Sequence, residues 1–140
     1  MNKNVMLTIS GLHSGDETDN GSVETAVGAE YFNKNGTHYL RYEEKEDGFE
    51  QVSKNRIKFK DNMLELTRQG LLHTHMIFEE GKNHMTNYQT PYGQMVLGID
   101  TKLVQIEEQE KHIRVIAEYV LEADGEYLSD SRIEINITEN

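Results

Sequence analysis

Arg68 and Glu44 are charged side chains that the sequence pattern turns toward the apolar face of a strand. Arg68 follows Leu64 and Leu66 at two-residue spacing, and Glu44 follows Leu40 and Tyr42 in the same way. Successive strand side chains point to opposite faces, so each charge starts on the side that carries the leucines. A charge held there persists only if it is paired and hydrogen-bonded. Two placements meet that condition. In one, Glu44 and Arg68 approach each other inside a β-structure or at its mouth, and Arg68 is a bidentate anchor for a small polar or anionic ligand. In the other, both sit at strand ends and turn into solvent along their aliphatic stems. Alternation alone leaves both open.

Tyr42, Tyr88, Tyr92 and Tyr119 suit the rim of such a pocket, where a ring packs and a hydroxyl orients a ligand. Tyrosines packed in a core with their hydroxyls at the surface are the commoner arrangement. Thr90-Pro91-Tyr92-Gly93 holds the chain's one proline and reads first as a tight turn, and second as a ligand lid.

His73 and His75, at i and i+2, share a strand face at a spacing that can ligate zinc. Leu72, Thr74, Met76 and Phe78 take the opposite, apolar face, so both histidines are expected to look outward. The sequence places no third ligand beside them, and His84 would reach them only across strands. No metal site and no cofactor is therefore expected. Nucleophilic catalysis has less support: the chain lacks cysteine and a Gly-x-Ser-x-Gly elbow. Glu43 and Glu44 are consecutive and face opposite ways, so they cannot flank one bond as glycosidase carboxylates do. Nothing in the pattern asks for an enzyme.

The elements that must position these groups are strands. Ile133, Ile135 and Ile137 interleave with Arg132, Glu134, Asn136 and Thr138, and similar ladders recur from Val5 onward. Val5, Leu7 and Ile9 make one ladder; Ile113, Val115, Ala117, Tyr119 and Leu121 make the longest. Turn signals fall between them, the strongest being Asn35-Gly36, with Asp47-Gly48, Asp61-Asn62 and Asp124-Gly125 in support. Val52 is out of phase with Ile57 and Phe59, which predicts a bulge near Ser53–Asn55. No βαβ crossover is present, so a parallel sheet is excluded. The reading is all-β: a single antiparallel up-and-down barrel of about eight to ten strands over residues 1–140, with a sandwich second.

At 140 residues the chain fits one domain with ample core. Acidic groups outnumber Lys plus Arg by 25 to 14, for a formal charge of −11. That field opposes binding to nucleic acid and to anionic membranes. The basic stretch Lys54, Arg56, Lys58 and Lys60 reads as a solvated outer face opposite Ile57 and Phe59. No apolar run approaches the roughly 20 residues that span a bilayer, and the N-terminal residues carry no secretory pattern. A soluble cytoplasmic protein is expected.

One region is more specific. Tyr39-Leu40-Arg41-Tyr42-Glu43-Glu44, Gly48, Leu66-Thr67-Arg68-Gln69-Gly70 and Tyr88-Gln89-Thr90-Pro91-Tyr92-Gly93, in this order and spacing, resemble the YwiB-like family of small bacterial proteins. The resemblance spans roughly Tyr39 to Thr101 and implies a calycin-like, lipocalin-like β-barrel of unknown function. It covers both Glu44 and Arg68. The leading functional expectation is a non-catalytic module for a small polar or anionic ligand, using Arg68, Glu44, Tyr42, Tyr88 and Tyr92. A structural or interaction barrel comes second, with homodimers formed through uncovered edges. A metal-dependent enzyme using His73 and His75 comes third.

Overall fold

A type I′ hairpin turn, whose twist matches the right-handed twist of the flanking strands, has positive φ at both central residues. Asn35 (φ 55°) with Gly36 (φ 85°), and Asp124 (φ 51°) with Gly125 (φ 85°), supply it. The computed structural model describes residues 1, 3–11, 24–45, 52–70, 73–90 and 93–140, and all their regular structure is strand. The chain runs through β1 (Asn4–Ser10), β2 (Glu24–Lys34), β3 (Thr37–Lys45), β4 (Val52–Lys60) and β5 (Met63–Gln69). It continues through β6 (His73–Glu79), β7 (Asn83–Thr90), β8 (Gly93–Glu108), β9 (His112–Ala123) and β10 (Glu126–Glu139).

All ten strands join one antiparallel sheet in the order β6-β5-β4-β3-β2-β1-β10-β9-β8-β7. First and last strands pair, from Val5 opposite Glu139 to Ser10 opposite Glu134, so the two halves of the meander form a continuous wall. The remaining seam lies between β6 and β7. Beside it, the β6–β7 turn is fastened to β8 by backbone bonds from Gly81 N–H to Thr101 O (2.9 Å) and from Thr101 N–H to Lys82 O (3.1 Å). The wall is thus a nearly closed barrel. Among the described residues no helix is long and apolar enough to cross a membrane.

Alternation fills the interior as expected. Val5, Leu7 and Ile9 of β1, Ile133, Ile135 and Ile137 of β10, and Ile113 to Leu121 of β9 are buried on the inner face. Across β3 to β6 the paired positions form layers: His38–Phe59–Leu64–Phe78, then Leu40–Ile57–Leu66–Met76. Burying each large aliphatic or aromatic side chain contributes roughly 1.5–3 kcal/mol. On β6, Phe78 meets Tyr119 of β9 edge-on at 4.8 Å and 63°, tying the seam strand to the far wall.

The expected bulge near Ser53–Asn55 is absent. β4 pairs with β3 without a shift from Val52↔Lys45 to Phe59↔His38. Val52 points outward, 47% exposed, and Ser53 and Asn55 take the inner positions. The register shifts fall elsewhere, at Thr101/Leu103 in β8 and Tyr127/Ser129 in β10. The first moves the inward phase from Ile99 and Thr101 to Val104 and Ile106, which hides the second half of β8 from a two-residue pattern. Glu80 Oε1 accepts the Val104 N–H at 2.9 Å just past that shift.

β1, β3, β5, β7 and β9 all finish at one end of the barrel, here the upper end. There the wall is split a second time. The β2–β3 ladder runs from Lys34↔Thr37 to Glu30↔Arg41 and stops. Beyond it β2 continues against β1, and β3 against β4.

Candidate functional site

Above the leucine layer the inner face of β3 to β6 turns polar. Tyr42 pairs with Asn55, Asn55 with Arg68, and Arg68 with Thr74, so one row across four strands carries a phenol, an amide, a guanidinium and a hydroxyl. The next row begins with Glu44 opposite Ser53. Arg68 Nη1 lies 3.9 Å from Glu44 Oε1, reaching over β4. Their side chains are 39% and 34% exposed, so the pair sits at the upper mouth rather than deep in the barrel.

Beneath the pair the polar groups are buried and satisfied. The Ser53 hydroxyl donates to the Glu44 carbonyl at 3.2 Å and accepts from Asn55 Nδ2 at 3.0 Å. Two short polar side chains in place of aliphatic ones are tolerated because each finds a partner. Tyr42 is half-buried next to them. Burial, reinforced by the Glu44 carboxylate and opposed by Arg68, pushes its hydroxyl up to about 12. It is therefore a neutral hydrogen-bonding group at physiological pH and not a nucleophile.

The other wall at this end is apolar. Val27 of β2, Tyr88 of β7, Met95 of β8 and Ala123 of β9 are partly buried against the core. A polar wall of β3 to β5 and an apolar wall of β7 to β9 give the mouth two chemistries, suited to a small molecule with both.

The sequence profile of a domain of unknown function, DUF1934, matches residues 7–135. The chain belongs to this family. Its backbone is similar to the crystal structure of ywiB protein from Bacillus subtilis, with a TM-score of 0.79 and 18% identity. The similarity covers 99% of this chain and 92% of that one, and at this identity it speaks for the fold. No curated protein matches the sequence.

Of the residues expected to bind a ligand in this DUF1934 chain, Tyr42, Glu44 and Arg68 come together on one inner wall. Tyr88 is at the same end on the opposite wall. Tyr92, with Pro91, lies outside the described residues. Tyr119 is core and not rim: it is 4% exposed and packs on Phe78. Burial raises its hydroxyl, and a hydrogen bond with Ser131 partly opposes this.

His73 and His75 do face outward. A carboxylate that the pattern did not place stands beside them: Glu65, on β5, hydrogen-bonds His75. His84 is engaged with Glu79 at 2.8 Å instead. Among the described residues no group of three His, Cys, Asp or Glu could hold a metal ion. Lys54, Arg56, Lys58 and Lys60 lie on the outer face, as expected.

Two features escaped the sequence pattern. Ser53 and Asn55 have the look of loop residues until β4 is in register. His38 looks like one more polar side chain, yet it is 6% exposed and stacks on Phe59 at 4.6 Å. Its Nδ1 lies 2.7 Å from the Tyr31 hydroxyl, and its Nε2 lies 3.3 Å from Glu108 Oε1. With Nε2 protonated toward Glu108, the Tyr31 O–H donates to Nδ1. This polar bridge links β2, β3 and β8 at the lower end, opposite the mouth.

Proposed function

We propose that this DUF1934 domain is a non-catalytic binding module whose upper mouth takes a small polar or anionic ligand. The observation that carries the reading is the Tyr42–Asn55–Arg68 row with Glu44 above it, facing an apolar wall. Arg68 supplies a planar fork of donors to a carboxylate or phosphate, and Glu44 holds that fork in place. The neutral Tyr42 hydroxyl offers a further hydrogen bond, and Tyr88 offers a ring face. The Tyr42 hydroxyl, pushed up to about 12, is not an activated nucleophile, which favours binding over turnover.

Native mass spectrometry of freshly purified protein tests this. The expected spectrum shows a small molecule retained on the chain, lost in Arg68→Ala at an unchanged melting temperature. A bare chain under gentle conditions contradicts the reading, as does Arg68→Ala that keeps the bound mass. A second reading has its own observation: on its β3 side, β2 has no ladder beyond Glu30. Such an edge can pair with a second copy. A ligand-free dimer in the same spectrum would support that reading instead.

A further inference from the structure

The split between β2 and β3 holds a groove of about 780 Å³ that opens on the outer face and reaches inward to Val5, Ala29, Tyr42 and Asn55. Gly28 and Glu30 of β2, Arg41 of β3, Lys54 and Arg56 of β4 and Gln69 of β5 line it. The geometry points to this groove as a second binding site, for a small phosphate-bearing ligand, adjoining the upper mouth through Tyr42 and Asn55 but not lined by Arg68 or Glu44.

Charge placement carries the argument. Six of the 14 Lys and Arg residues, Arg41, Lys45, Lys54, Arg56, Lys58 and Lys60, lie on β3 and β4, in a chain of net charge −11. Arg41 and Arg56 are directly opposed across the ladder. Like charges in that position repel, so the arrangement favours an anion lying between them. Arg41 is held on one side by Glu30 at 3.8 Å and by the Phe32 ring at 5.3 Å. Neither Lys54 nor Arg56 makes an ion pair among the described residues, although the chain has 25 acidic groups to choose from. Arg56, and Lys54 opposite Glu43, stand beside a third cation that Glu30 and the Phe32 ring orient. A phosphate matches this set, since guanidinium forks and an ammonium satisfy several oxygens at once.

The volume falls within the range of small-molecule sites. Glu30 and Glu43 on the rim can accept hydrogen bonds, so a ligand bearing hydroxyl or amine donors beside its phosphate fits better than bare phosphate. Gly28 is on the floor. A Cβ built there meets nothing within 4 Å, so the groove is open directly over the glycine.

The experiment is a calorimetric titration of the full chain with inorganic pyrophosphate at low and high salt. Saturable binding that weakens with salt is expected. Arg56→Gln should weaken it about tenfold or more, as loss of a charge-assisted contact does. Gly28→Tyr, whose Cβ has open space and whose ring would occupy the groove, should do the same at an unchanged melting temperature. Lys58→Gln, on the same face but outside the groove, should change affinity less than about twofold. The proposal is overturned by no saturable binding, or by Lys58→Gln acting as strongly as Arg56→Gln. An undiminished Gly28→Tyr overturns it too. Tighter binding of a single-stranded oligonucleotide, lost on replacing Phe32 or Tyr39, would overturn it in favour of nucleic acid. Pyrophosphate binding lost in Arg68→Ala but kept in Arg56→Gln belongs to the mouth and overturns the groove, so the two readings fail separately.

Discussion

Arg68 Nη1 and Glu44 Oε1 stand 3.9 Å apart over β4, joined from below by the hydrogen-bonded Ser53 and Asn55. The distance is long for an ion pair, and both side chains are more than a third exposed. Water screens such a pair, and exposed pairs contribute about 0–1 kcal/mol. Arg68→Ala and Glu44→Gln are therefore each expected to lower the unfolding free energy by less than about 1 kcal/mol in urea titrations. A loss above about 3 kcal/mol would mark the pair as a structural, desolvated one.

The buried amide below is a different case. Asn55 is 9% exposed and donates to Ser53. Asn55→Ala removes that bond and leaves a small void, for an expected loss of about 1–3 kcal/mol. Asn55→Leu, similar in size and placed above Ile57 and Leu66, should cost less than the alanine. Urea midpoints at a constant slope measure both.

Phe78 anchors the seam. β6 and β7 share no ladder, and the edge-on contact of Phe78 with Tyr119 spans the interior there. Phe78→Ala is expected to cost about 3–5 kcal/mol. Amide exchange should accelerate first in β6, the strand that depends most on this packing. Tyr119→Phe keeps the ring and loses only the hydroxyl bond, so its cost should stay near 1 kcal/mol.

Acid should destabilise the fold through two groups, His38 and Glu134. Burial lowers His38 below its ordinary 6.5, with Glu108 partly opposing. The folded state thus resists protonation, and stability present above pH 6.5 is lost as pH falls toward the lower folded value. Arg114, and then Asn136, hold Glu134 at about 2 against an ordinary 4.5. Its contribution is present above pH 4.5 and is lost as pH falls from there toward 2. Thermal melts across pH should show both declines. His38→Gln should remove the first and Glu134→Gln the second.

Where alternation was unbroken, the pattern in the residues anticipated the structure. Ile133–Ile137, Ile113–Leu121 and Val5–Ile9 all bury as their spacing predicts, and Asn35-Gly36 turns as its chemistry requires. The failures have two causes. A one-residue shift in β8 after Thr101 inverts the phase, so Val104 and Ile106 do not continue the ladder of Leu97 and Ile99. In β4 the inner positions hold Ser53 and Asn55, whose burial depends on partners from a neighbouring strand and from each other. The approach of Glu44 to Arg68 was within reach of the pattern, because both follow apolar residues in phase. The groove at Arg56 was not, since it depends on where β2 and β3 stop pairing.

The most direct test of the binding account is to recover the small molecules released by denaturing freshly purified protein, and to titrate them into ligand-free wild type and Arg68→Ala by calorimetry. The account predicts saturable, one-to-one binding to wild type, and binding weaker by about tenfold or more in the variant at an unchanged melting temperature. Equal affinity in the two proteins, or no saturable heat with wild type, would contradict it.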